Sequence, residues 1–242
     1  MTETTVLTST SLSRLSNGSK VVPFPLPPKP TVPAGATELS DDRYRNLLGE
    51  ARWRALPHDV RRRFSKHLAA GAATIYRGEV VATELSRAGW LLAQLARLVG
   101  GPLPYIADAT GPAVVTVTEE PALHGQIWSR QYARPGRFPQ VIHSAKRFTG
   151  PTGLEEYLGL GLVMRLAVSV ENATLVFRSH GYAIEIGRLA LAVPRWLCPG
   201  DCEIRHRAET DGRFSFELTL AHPVLGPLIH QVAFFHDGDA LN

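Results

Sequence analysis

The sequence predicts an α+β fold: a large antiparallel, strongly curved sheet or β-barrel, with N-terminal helices packed on one face or mouth. Three observations lead there. Strand signals follow one another with little interruption from Thr74 to His236. Their connections are short, and Glu171-Asn172-Ala173 and Asp211-Gly212 have the residue types of hairpin turns. Helical periodicity is confined to the chain before residue 100. Short turns force antiparallel neighbours, because parallel pairing needs a long crossover. About nine or ten consecutive strands cannot stay flat without exposing long edges, so the sheet must bend or close.

Taken in order, residues 1–39 read as a disordered arm, a Ser/Thr-rich tail followed by Pro23-Phe-Pro-Leu-Pro-Pro-Lys-Pro30. The proline run favours extended polyproline II and suits a spacer or loosely docked arm, with an SH3-type ligand as the other reading. Residues 40–242 read as a single α+β domain. Ser40-Asp41-Asp42 offers an N-cap for a helix carrying Tyr44, Leu47, Leu48 and Ala51. Pro57-His58-Asp59 opens a second helix that runs to about Leu68. A strand over Thr74–Glu84 follows, with Gly78 marking a bulge or kink. A third helix spans Arg87–Val99, and its face of Trp90, Leu91, Leu95 and Leu98 is expected to pack into the core. Gly100-Gly-Pro-Leu-Pro104 ends it. The later strands are expected at 113–119, 125–132, 141–148, 162–171, 174–179, 182–193, 202–209, 213–221 and 228–236. In the strand at 213–221, Phe214, Phe216, Leu218 and Leu220 share one face.

Composition excludes several classes. The formal charge is +4, and the basic residues are spread along the chain. Aromatic and basic residues do not alternate on one surface as a nucleic-acid platform requires, so no nucleic acid is expected as partner. The dense run Arg61-Arg62-Arg63 with Lys66 reads first as a solvated helix face, second as a phosphate- or membrane-binding patch. Met1–Lys20 lacks the apolar centre of a signal peptide, and Ala88–Pro104 is too short and polar to span a bilayer. A cytoplasmic protein without stable membrane insertion is expected. Cys198 and Cys202 lack the tight spacing of a redox pair, and only His206 could join them as a metal ligand. They read as reduced, incidental thiols, with no metal expected. No G-x-S-x-G, Walker A or G-x-G-x-x-G fingerprint is present, so no cofactor is expected.

Two places carry chemistry. Trp128, Arg130 and Tyr132 alternate along one strand and therefore share a face. Facing inward, Arg130 needs a carboxylate or a ligand anion and acts as an anion hook. Facing outward, it snorkels over aromatic rings. The opposite face, Ile127 with Ser129, is too weakly apolar to decide. The second place is Glu155-Glu156, between Gly150-Pro-Thr-Gly153 and a long apolar run. A carboxylate entering such surroundings has a raised pKa and can serve as acid or base, or pairs with Arg130 or Arg165; a surface turn is the plain reading. His143 sits beside Ser144 on the opposite strand face, so the two are no dyad.

Several short motifs occur in a familiar order. They are Leu56-Pro-His-Asp-Val60, Tyr76-Arg-Gly78, the W-x-R-x-Y string at Trp128–Tyr132, and Gly153–Glu156. Val193-Pro-Arg-Trp-Leu197 with Pro199, Gly212-Arg-Phe-Ser-Phe216 and Pro223-x-x-Gly226 complete the set. Over about residues 44 to 236 the chain resembles the bacterial family known as domain of unknown function 4166. The resemblance implies no activity. It does imply service to a redox or lipid-like substrate, since members are often joined to an NAD(P)-binding reductase of the saccharopine dehydrogenase type. No Rossmann half is present here, so a separate NAD(P)-dependent reductase is the implied partner. The family's closing Tyr-x-Gly is replaced by Val232-Ala-Phe-Phe-His236, and the two cysteines are a further departure.

The first functional expectation is a small-molecule binding module: a barrel-like cavity holding a hydrophobic or amphipathic, anionic ligand. Arg130 would hold the head group, with Trp128, Tyr132, Trp196 and Phe216 lining the pocket. The second is an acid–base enzyme of isomerase, cyclase or dehydratase type, with Glu156 as base and Arg130 or His143 stabilising negative charge. The third is an accessory partner of the reductase.

Overall fold

The computed structural model describes residues 39–237, apart from positions 70, 71, 108 and 188. Of the arm expected over residues 1–39, residues 1–38 lie outside the described residues, while Leu39 belongs to a short strand instead. Two residues on each side, β1 (Leu39–Ser40) and β2 (Lys66–His67), pair antiparallel and bracket three short helices. These are α1 (Arg43–Leu48), α2 (Glu50–Arg54) and α3 (His58–Phe64). The expected first helix is two, because Gly49 at φ 76° takes a conformation that L side chains rarely adopt.

The remaining strands form one antiparallel sheet. They are β3 (Ala73–Leu85), β4 (Gly111–Glu120), β5 (Gly125–Arg134), β6 (Arg137–Arg147), β7 (Glu155–Gly159) and β8 (Leu162–Glu171). After them come β9 (Thr174–Ile186), β10 (Leu189–Ala192), β11 (Asp201–Ala208), β12 (Arg213–His222) and β13 (Gly226–Asp237). The order is β9-β11-β12-β13-β3-β4-β5-β6-β7-β8, and β8 pairs again with β9. Ten strands therefore close into a barrel, with β10 added on the free edge of the last residues of β9. Closure removes the edges that an open sheet of this size would expose.

Chain direction divides the barrel ends cleanly. One end, the floor, collects the starts of β3, β5, β7, β9 and β12 and the ends of β4, β6, β8, β11 and β13. Helices α1–α3 close it. Tyr44 meets Phe64 and Phe148 edge-on at ring distances of 4.9 and 5.0 Å, and Arg43 bridges Asp41 to Glu119 at the end of β4. The arginine run is not a solvated face throughout. Arg63 is buried, bonds Asp237 at 3.0 Å and lies over the Phe214 ring, while Arg62 also reaches Asp237.

The other end is the mouth, and it is covered by a helix, α4 (Arg87–Ala96), continued by a 3-10 turn at Arg97–Val99. Ser86 caps α4 by accepting from the Gly89 N–H. Gly89 lies so close to the Leu228 carbonyl on β13 that a Cβ would sit 1.9 Å from it. At its far end, Gly159 in the β7–β8 turn meets the Val99 carbonyl as closely, 2.0 Å from an added Cβ. β13 and β7 stand half-way round the ten-strand ring from one another, so α4 with its 3-10 turn straps the mouth from side to side. The expectation that Trp90, Leu91, Leu95 and Leu98 pack into the core is overturned: all are exposed, Leu98 at 75%. The helix instead buries Gly89 and Ala93 and turns Leu92 and Ala96 to the barrel interior.

Three further expectations change. Gly78 is not itself a bulge; its pairings to Phe235 and Ala113 are regular, and the glycine makes room for the Phe235 ring. His180-Gly181 does not separate two strands, because β9 runs through it and the register shift between Met164 and Leu166 absorbs it. Glu155-Glu156 is not a surface turn but the start of β7, with both carboxylates buried.

Candidate ligand-binding cavity

Strand alternation sorts the side chains of β5 and β6. Trp128, Arg130 and Tyr132 point into the barrel, as do Ile142 and Lys146 from β6. The question the sequence left open is thus answered: this face looks inward. Above the floor the barrel holds a cavity of about 300 Å³. Its wall is mostly apolar, with Phe64 and Phe177 from below, Met164, Leu218 and Phe216 from the sides, and Leu92, Leu95 and Leu103 from the lid. The lid loop is held in turn by Gln140, which donates to the Leu103 carbonyl at 3.1 Å.

Within that wall stands one charged cluster. Lys146 is paired with Glu156 across β6 and β7, and its Nζ donates to Glu156 Oε2 at 2.8 Å. Ser144 donates to Glu156 Oε1 at 2.5 Å and accepts from Arg130 at 3.1 Å. Arg130 also reaches Glu156 Oε1 at 3.4 Å. Trp128 and Phe177 flank the ammonium, each with its ring centre 5.4 Å from Nζ. Glu156 and Lys146 are almost fully buried, whereas Arg130, nearer the mouth, keeps part of its side chain open. Trp128 is buried and its indole N–H finds no acceptor among the described residues.

Charge balance gives this cluster its chemistry. Burial alone would push the Glu156 carboxyl up, but the Lys146 ammonium and the Arg130 guanidinium outweigh it and hold it down to about 2. The expected raised pKa is therefore reversed. Burial lowers the Lys146 pKa, and Glu156 opposes that shift. Two cations face one carboxylate, so the cavity carries one positive charge in excess. Lys146 is spent on Glu156 by its short contact; Arg130, with its longer contact and open side, is the group left to face an anion. The Cys202 thiol also lines the cavity, where burial, helped by nearby Glu156, pushes it up to about 12 and leaves it protonated.

Of the residues expected to form the site, the structure gathers Trp128, Arg130, Tyr132, Glu156 and Phe216 on the cavity wall. It does not bring His143 or Trp196 there. His143 alternates with Ile142 and Ser144, so it faces outward, exposed, and meets Ser129 Oγ at 3.0 Å. Trp196 sits on the 3-10 turn Arg195–Leu197 between β10 and β11 and is exposed. Sequence reasoning missed Lys146 and Ser144. Their spacing from Ile142 along β6 was a usable signal, since the period of two places all three on one face. His206, the one candidate third ligand beside the cysteines, is remote from that role. It is fully buried among Phe64, Phe214 and Phe216, and burial, with Arg63 adding to it, holds it neutral at about 3. Asp41, His67 and Glu119 approach one another closely enough to suggest a metal centre, but Arg43 already bridges the two carboxylates.

Fold and site together define a closed antiparallel β-barrel with a lidded apolar cavity and a buried cationic excess. By sequence, residues 56–235 match the family described as Domain of unknown function (DUF4166). The chain belongs to that family. No curated protein matches it. No helix among the described residues is long and apolar enough to cross a membrane.

Proposed function

We propose that the barrel is a small-molecule binding module holding a hydrophobic or amphipathic ligand with an anionic group. The observation that carries this is Arg130, which with Lys146 leaves two cations to one buried carboxylate, set into an apolar chamber beneath a helical lid. The chamber volume of about 300 Å³ falls at the lower end of small-molecule sites. The anionic group would meet Arg130 and the free Trp128 N–H, and the apolar body would lie between Leu92, Leu95, Leu158 and Leu162. The low proton affinity of Glu156 weighs against its use as a general base, which sets the acid–base reading behind this one. The family resemblance adds a consumer for the ligand, a separate NAD(P)-dependent reductase.

The test is to extract purified protein with apolar solvent, and to add fatty acids or isoprenoid acids in a thermal-shift series. A bound compound, or an upward shift that Arg130→Gln removes, supports the proposal. An empty extract with no shift overturns it.

A further inference from the structure

Among the described residues, the mouth end carries most of the exposed large apolar side chains, and they come from four separate connections on that rim. Trp90, Leu91 and Leu98 belong to the α4 lid, Leu160 to the β7–β8 turn, Trp196 to the β10–β11 connection and Leu225 to the β12–β13 turn. Antiparallel order alone places these connections at one end, the end opposite α1–α3. The ring therefore surrounds the opening of the apolar cavity. Isolated exposed apolar residues are ordinary, but a ring collected from separate segments around one opening marks a contact surface.

The charges on the same rim say what it contacts. Arg87, Arg97, Arg137 and Arg195 are exposed there, against Glu84 and Asp201. A second copy docked about a two-fold axis would set this arginine-rich rim against itself. A single bound helix or peptide would cover one segment and leave the others open. An anionic lipid surface is broad enough to meet the whole ring, pairs with the arginines, and receives tryptophan at its interfacial layer. We propose that the mouth docks on anionic membrane surfaces, with Trp90, Leu91, Leu98 and Trp196 dipping into the interface and the barrel remaining outside it. The cavity then opens onto the bilayer. The inference stands apart from the ligand assignment, since none of those four side chains lines the cavity.

Co-sedimentation of the full chain with vesicles tests it, comparing phosphatidylcholine alone with phosphatidylcholine containing about a third phosphatidylglycerol. The expected result is binding to the anionic vesicles only, weakened by salt. Leu91→Glu with Leu98→Glu should lower the partition at least tenfold while leaving the thermal midpoint and the Arg130-dependent ligand shift unchanged. Absence of binding to anionic vesicles overturns the proposal, as does equal binding by the double variant. A self-associating protein that becomes monomeric in the double variant, without vesicle binding, overturns it in favour of a second copy. In each case the ligand shift reports on the cavity separately.

Discussion

The two ends of the barrel use apolar residues in opposite ways. At the floor, Tyr44, Leu48, Trp53, Leu56, Val60 and Phe64 are all buried, and the charges around them are tied in pairs such as Arg63 with Asp237. At the mouth, Trp90, Leu91 and Leu95 on α4 and Leu98 on the 3-10 turn that continues it remain exposed, over a cavity rather than a filled core. Both ends begin from similar amphipathic helices. What differs is that α1–α3 insert aromatic side chains into the barrel, whereas α4 lies across it on glycine and alanine contacts. The floor is a packed end; the strapped end leaves a chamber beneath α4.

Changes at the charged cluster, between the two ends, should have the largest effect. Glu156→Gln leaves Lys146 buried without its carboxylate and should cost about 3–5 kcal/mol in chemical denaturation. The pH dependence follows from the same pair. The folded carboxyl, at about 2, lies below its ordinary 4.5, so its contribution is complete above 4.5 and disappears as pH falls toward 2. That contribution is about 3 kcal/mol. Stability of the parent protein should therefore fall through that window, and Glu156→Gln should flatten the fall; a parallel acid profile in both would separate Glu156 from the cluster.

Truncation at the floor comes next. Leu154 is fully buried beneath the helices, and Leu154→Ala should cost about 2–5 kcal/mol. A loss under about 1 kcal/mol would show that the floor is not the packed end. Gly89→Ala probes the strap itself. Its Cβ has no room beside the Leu228 carbonyl, so the substitution should cost about 1–3 kcal/mol and speed amide exchange across residues 87–107. Unchanged exchange there would mean that α4 is not held by this contact. The smallest effect belongs to Leu98→Ser, which should stay within about 0.5 kcal/mol of the parent in the same denaturation series.

The sequence made the barrel legible because alternation and short turns both survive in single-chain pattern, and the strands at 125–132, 162–171 and 213–221 reappear at those places. It hid what depends on distant partners. Glu155-Glu156 looks like a turn until Lys146, Arg147 and Arg165 are brought beside it by β6 and β8. The stripe on α4 shows which side is apolar, not whether anything covers it. Likewise, a period of two puts Trp128, Arg130 and Tyr132 together but leaves their direction to the closure of the whole ring. His180-Gly181 carries turn residues, and only the opposing register of β8 turns them into a bulge.

We propose that Arg130 gives the apolar chamber a preference for anions. It is tested most directly by titrating the protein with a long-chain carboxylic acid and with the alcohol of the same chain, using parent and Arg130→Gln. The acid should bind the parent at least tenfold more tightly than the alcohol, about 1.4 kcal/mol, and the variant should bind both alike. Equal affinities in the parent, or a preference that survives in Arg130→Gln, would contradict it.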